Sequence, residues 1–254
     1  MNRLPHILFL IVILFSSCAS KKDIIYFQDA ANYASAPTSV KAVLVQPNDI
    51  LSIRIGALVP ETALPYNIQT GNETTNSTLD MLKVQGYLVS PDQTIVLPIL
   101  GSVSTAGLSV TDLETKIKIE LEKGGHLVDP TVSIRILNAK VTVLGEVKTP
   151  GTYTFLEQSI SVPQALGYAG DLTINAKRND ILLIRESGGK RIMMNVDLTT
   201  VNWMNNPQYQ IRQNDVLVVN PNNAKVKTAG YIGNTGTVLT IASLILSSII
   251  LLTR

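Results

Sequence analysis

Few residues in this chain are of a type and spacing that could do chemistry. His6 lies in an apolar leader and His126 in a Gly-Gly-His loop, so no histidine pair is set up for metal or triad chemistry. There is no phosphate-binding P-loop and no G-x-S-x-G elbow. The acidic residues stand in no recognisable general acid/base motif. The expectation is therefore no catalytic residue, no cofactor and no bound metal. Trp203 and Tyr209 are the aromatic pair of interest. Their faces can stack on sugar rings or simply pack in a core, and they are candidate glycan contacts.

The remaining candidate is the one cysteine, Cys18, which excludes an intramolecular disulfide framework and a cysteine-rich metal site. Its setting is specific. Arg3 supplies a positive charge, Ile7–Phe15 is an unbroken apolar run too short to span a bilayer, and small Ser16 and Ser17 precede the cysteine. This resembles a bacterial lipoprotein lipobox, with Phe15 where leucine is usual. The resemblance implies removal of residues 1–17 and acylation of the Cys18 thiol. Several acyl chains bury enough CH₂ groups for stable anchoring.

Composition narrows the class. The 254 residues carry 21 Lys+Arg against 19 Asp+Glu, a formal charge of +2, with no dense basic patch. Nucleic acid is not the expected partner. With 45% hydrophobic and only 16% charged residues the chain is not intrinsically disordered. The mean hydropathy of +0.23 is raised by two apolar blocks, one near each terminus.

The elements that would position these residues are mostly strands. Period-two alternation marks Leu51/Ile53/Ile55, Val132/Ile134/Ile136 and Val141/Val143/Gly145/Val147. Thr94–Leu100, Asp180–Ile184, Arg191–Val196 and Val216–Asn220 are further strand candidates. A helix is expected after Ser109, whose N-cap role is supported by Asp112 three residues on. Val110, Leu113, Ile117 and Leu121 share its face, Glu114 and Lys118 are spaced to pair, and Gly124-Gly125 stops it. A shorter helix is expected over Val162–Ala169. Lys21–Ala42 reads as a polar linker and Gly56–Lys83 as a long loop. Gln46-Pro47-Asn48-Asp49-Ile50-Leu51 is echoed by Arg212-Gln213-Asn214-Asp215-Val216-Leu217, and a generic turn used twice suffices to explain it. Sparse helices on a β framework make the fold class α+β.

Tyr231–Leu252 has no charged residue, and as a helix it would rise about 33 Å, enough to cross a membrane. Gly236, Thr240, Ser243 and Ser247 fall on one face, opposite Val238, Ile241, Ile245, Ile249 and Leu252. A small-residue stripe allows close helix packing, or faces water inside a ring of identical helices.

In order along the chain, a series of segments carries a family resemblance. Val45–Ile55 is similar to the "pGDvl.i.v" opening of polysaccharide export proteins, and Val89–Gly107 to their "v..dG.i.lP.lG.v.v.G" hairpin. The Ser109–Lys123 helix and Asp129–Leu137 follow in family order. Val143–Tyr153, Gln164–Leu172 and Gln213–Asn220 resemble successive parts of a soluble-ligand-binding β-grasp (SLBB) module. Asn48, Gln93, Asp171 and Asn214 stand where the family has glycine.

The chain is thus similar to Wza-type outer-membrane polysaccharide export lipoproteins. The resemblance implies a signal peptide at 1–17, a lipid-anchored linker at 18–42, an export domain at 43–138, an SLBB β-grasp domain at 139–222 and a transmembrane helix at 231–252. It implies a ring-shaped homo-oligomer in the outer membrane, with its body in the periplasm and Gly236, Thr240, Ser243 and Ser247 facing a lumen. The implied substrate is capsular polysaccharide or exopolysaccharide, and the implied partner an inner-membrane polysaccharide co-polymerase with tyrosine-kinase activity. The alternative is a monomeric, lipid-anchored periplasmic glycan-binding protein without a pore.

Overall fold

The computed structural model describes residues 21–33, 42–68, 83–229 and 235–252. It is mixed α+β, with two main sheets and a separate hairpin. β1 (Ile50–Gly56) is the middle strand of the first sheet, antiparallel to both β2 (Tyr87–Leu88) and β5 (Thr131–Ile136). Its alternation places Leu51, Ile53 and Ile55 in the core, with Arg54 exposed. β3 (Thr94–Leu97) and β4 (Gly101–Ser104) form the hairpin. The strand expected to run to Leu100 turns after Leu97, where Pro98 can donate no ladder hydrogen bond.

Two helices flank these strands, α1 (Pro60–Ala63) and α2 (Val110–Lys123). α1 and a 3₁₀ turn at Leu64–Tyr66 replace part of the loop expected over Gly56–Lys83. Asn67 fixes that stretch to β1 by accepting from Ile55 N–H and donating to Ile55 O. α2 begins with the Ser109/Asp112 capping box and buries Val110, Leu113, Ile117 and Leu121. The expected Glu114–Lys118 pair does not form. Glu114 instead accepts from Ile134 N–H at 2.8 Å, fastening the helix to β5, and Lys118 pairs with Asp129 at 2.7 Å.

The second sheet has the order β7-β6-β10-β8-β9. Its strands are β6 (Lys140–Gly145), β7 (Gly151–Thr154), β8 (Ala176–Ser187), β9 (Lys190–Val196) and β10 (Asp215–Pro221). β10 runs parallel to β6 and antiparallel to β8. β6 stops at Gly145, short of the expected Val147. At that glycine φ is +90°, and a Cβ would lie 2.0 Å from Val219 O, so only glycine fits. α3 (Val162–Tyr168) is capped by Ser161 and Gln164 and buries Val162, Ala165 and Leu166.

The N-terminal described segment departs from expectation. Residues 21–33 are not a free linker. Phe27 and Gln28 donate their N–H groups to Leu198 and Thr199 carbonyls, the Asp29 side chain accepts from Val201 N–H, and Tyr26 Oη donates to Asp171 at 2.7 Å. The chain continues from β10 through α4 (Asn223–Thr228), and α5 covers Thr235–Leu252. At 18 residues α5 rises about 27 Å. No helix among the described residues is long and apolar enough to cross a membrane, and residues 231–234 of the transmembrane helix expected over 231–252 lie outside the described residues.

Candidate functional site

Cys18 lies outside the described residues. The described surroundings of the other candidates begin at the two Asn-Asp turns, which are built alike. Asn48 and Asn214 have φ of 68° and 63°, the conformation that asparagine tolerates best after glycine. In each turn the aspartate carboxylate accepts from the backbone N–H three residues earlier, Gln46 to Asp49 at 2.7 Å and Arg212 to Asp215 at 2.8 Å. Each turn then launches a central strand, β1 or β10.

These turns meet. Gln213 Nε2 donates to Asp49 Oδ2 at 2.8 Å, joining the second turn to the first. Asn138 bridges the same junction, accepting from Ile50 N–H and donating to Asn48 O, and Asn214 N–H donates to Lys140 O. The carboxylates differ in their counter-charge. Asp215 is held by buried Arg185 through Nε at 2.9 Å and Nη2 at 2.6 Å. Arg185 also donates to Gln208 O and Gln210 O. Asp49 is 2% exposed and receives only neutral amides. Burial therefore pushes its pKa up from 3.8 to about 6, against the opposing pull of the Gln46 and Gln213 hydrogen bonds. Gln213 Oε1 is buried without a partner among the described residues.

Trp203 and Tyr209 sit on 3₁₀ turns at Asn202–Asn205 and Pro207–Tyr209, their rings 6.2 Å apart and edge to face. Phe27 packs on Trp203 at 6.4 Å, and Trp203 Nε1 donates to Thr200 O. The structure thus brings the two candidates together, half-buried beneath the N-terminal segment. Beside them, buried Arg178 lies 5.2 Å from the ring centre of Tyr26. Burial, followed by the Asp171 hydrogen bond, pushes the Tyr26 phenol up to about 12. Sequence reading missed this cluster, because its halves are about 170 residues apart.

On α5, Gly236, Thr240, Ser243 and Ser247 are exposed. Their hydroxyls are already satisfied: Thr240 donates to Gly236 O, Ser243 to Thr240 O and Ser247 to Ser243 O, all within 2.9 Å. A back-bonded hydroxyl presents no free donor, so the stripe tolerates an apolar neighbour as well as water. His126 is exposed and packs its edge on Tyr66 at 5.8 Å. No cluster of metal-ligating side chains occurs among the described residues.

Residues 37–137 match the polysaccharide biosynthesis/export protein family, and residues 140–195 match the SLBB domain. The EPS I polysaccharide export outer membrane protein EpsA of Ralstonia solanacearum is 27% identical over 198 residues, covering 75% of this chain and 51% of that protein. The protein of the same name from Ralstonia nicotianae is 28% identical over 203 residues, with coverages of 75% and 51%. The chain spans about half the length of these curated relatives.

Proposed function

We propose that this chain, whose residues 37–137 match the polysaccharide biosynthesis/export family and 140–195 the SLBB domain, is an outer-membrane subunit exporting capsular polysaccharide or exopolysaccharide. It works as a ring-shaped homo-oligomer and catalyses no reaction. Cys18, acylated, holds the body on the periplasmic side of the outer membrane. Residues 43–138 and 139–222 act as its export and SLBB domains. An inner-membrane co-polymerase with tyrosine-kinase activity hands over the polymer.

One observation carries the oligomer. The apolar side chains of α5 are largely uncovered, with Leu239 68%, Leu244 63% and Leu251 82% exposed. Burying a leucine is worth about 1.5–3 kcal/mol, so such a helix seeks neighbours. Copies of α5 packed around one axis supply them, with Gly236, Thr240, Ser243 and Ser247 turned to that axis. Electron microscopy of detergent-extracted protein tests the reading. Rings of many subunits are expected. Particles of about 27.5 kDa alone would overturn it and favour the monomeric glycan-binding alternative.

A further inference from the structure

The loop at residues 171–175, between α3 and β8, is the meeting point of both chain ends with the second sheet. Tyr26 Oη donates to the Asp171 carboxylate at 2.7 Å. From the other side, Asn222 N–H donates to Asn175 O at 2.7 Å and Asn222 Nδ2 to Ile174 O at 3.3 Å. Lys225 of α4 reaches Glu146 at 3.8 Å, and Glu146 accepts from Thr173 of the same loop at 2.8 Å. The segment leaving Cys18 and the helix leading toward α5 therefore depart from one end of the SLBB domain.

That end has an unusual surface. Ile24 is 38%, Ile174 63% and Val226 56% exposed. Lys21 and Lys22 precede Ile24, and Lys225 and Lys227 flank Val226. The local acids are largely engaged: Asp171 by Tyr26, and Glu146 by Thr173 and Lys225. Asp23 is the remaining carboxylate on the N-terminal turn. Exposed branched aliphatics interleaved with lysines suit an interface that is apolar beneath and anionic at its rim.

We propose that this end of the SLBB domain rests on the membrane itself, with Ile24, Ile174 and Val226 entering the headgroup layer and the four lysines meeting anionic phospholipid headgroups. The occupant follows from where the chain goes. Cys18 is three residues before Lys21, a reach of at most about 11 Å when fully extended. Acylation there, as proposed above, brings this surface to the bilayer whatever the rest of the molecule does. Stable anchoring commonly combines acyl chains with a second, basic or apolar contact, and this patch supplies both kinds.

The test uses the full chain reconstituted in phosphatidylethanolamine/phosphatidylglycerol vesicles, with a photoreactive phenylalanine analogue in place of Ile174, Val226 or, as a control, Val128. Val128 is 85% exposed and lies in the loop between α2 and β5, away from this surface in the chain. Ultraviolet light should add the mass of one phospholipid at positions 174 and 226, but not at 128. Replacing Lys21, Lys22, Lys225 and Lys227 together by Gln should lower that yield. Lipid adducts no more frequent at 174 and 226 than at 128 would overturn the proposal, as would adducts to a second protein chain at those positions. The intact mass reports acylation of Cys18 separately. An acylated chain without lipid adducts removes this surface and leaves the anchor. Adducts on an unacylated chain remove the anchor and keep the surface.

Discussion

Asp49→Asn should stabilise the protein at neutral pH and leave it unchanged in acid. Asp49 is 2% exposed, and both its donors, Gln46 N–H and Gln213 Nε2, are uncharged. Its carboxyl is raised from 3.8 to about 6. A folded-state pKa above the unfolded one means that folding favours the protonated form. The resulting stability is fully present below pH 3.8 and is lost as pH rises through about 6. A tenfold change in proton affinity corresponds to about 1.4 kcal/mol, so the full loss is about 3 kcal/mol. Asparagine keeps the acceptor for Gln46 N–H and carries no charge. Both donors address the same oxygen, Oδ2, which the asparagine oxygen can replace. Urea unfolding of the detergent-solubilised chain, followed from pH 4 to pH 8, reads the difference. The variant should exceed the wild type by up to about 3 kcal/mol at pH 8, with the gap closing toward pH 4. A variant less stable than wild type at pH 8, or a gap independent of pH, would refute the assignment of an uncompensated buried carboxylate.

Arg185→Met should cost about 3–5 kcal/mol in the same assay, because it strands buried Asp215, and adding Asp215→Leu should recover much of the loss. Gly145→Ala should cost at least about 3 kcal/mol or yield insoluble protein, since its Cβ meets Val219 O at 2.0 Å with φ at +90°. Ser161→Ala should lower stability by about 1 kcal/mol, read as a shifted unfolding midpoint, because the Ser161/Gln164 box closes the start of α3. Cys18→Ser should abolish acyl labelling and outer-membrane assembly, and retained labelling would place the lipid elsewhere.

Much of the framework was legible because it is local. Alternation placed β1 and β5 to within a residue or so, the further candidates at 191–196 and 216–220 fell on β9 and β10, and the Ser109/Asp112 box placed α2. A second box, Ser161-Val-Pro-Gln164, was equally readable and was missed. What stayed hidden depends on distant partners. Glu114 was assigned to Lys118 four residues away, and the structure gives it to a backbone amide of β5. Residues 21–33 read as a linker by composition, yet their partners lie at 171 and 198–201. Of the functional candidates, the Trp203/Tyr209 pair was visible, whereas Phe27, Tyr26 and Arg178 beside it were not. Hydrophobicity pointed to a helix at 231–252, and α5 covers Thr235–Leu252 of it.

The four residues that replace family glycines argue most directly from sequence to structure. Asn48, Gln93, Asp171 and Asn214 all have positive φ, between 57° and 73°. The backbone takes the conformation that favours glycine although each of these residues carries a Cβ. Asn48 and Asn214 do so at low cost, and at Asp171 the carboxylate accepts from Leu172 N–H and Tyr26 Oη. Gln93 is fastened by its backbone, donating to Ser90 O and accepting from Thr105. The Asn48 and Asn214 turns are also one device used twice, at carboxylate-to-amide distances of 2.7 and 2.8 Å. Their charges are met differently: Asp215 has an arginine, and Asp49 a glutamine from the other turn. The turn with the arginine is anchored within its own sheet. The turn without it takes its partner from the turn that launches β10, so the charge state of Asp49 is coupled to how the two sheets meet.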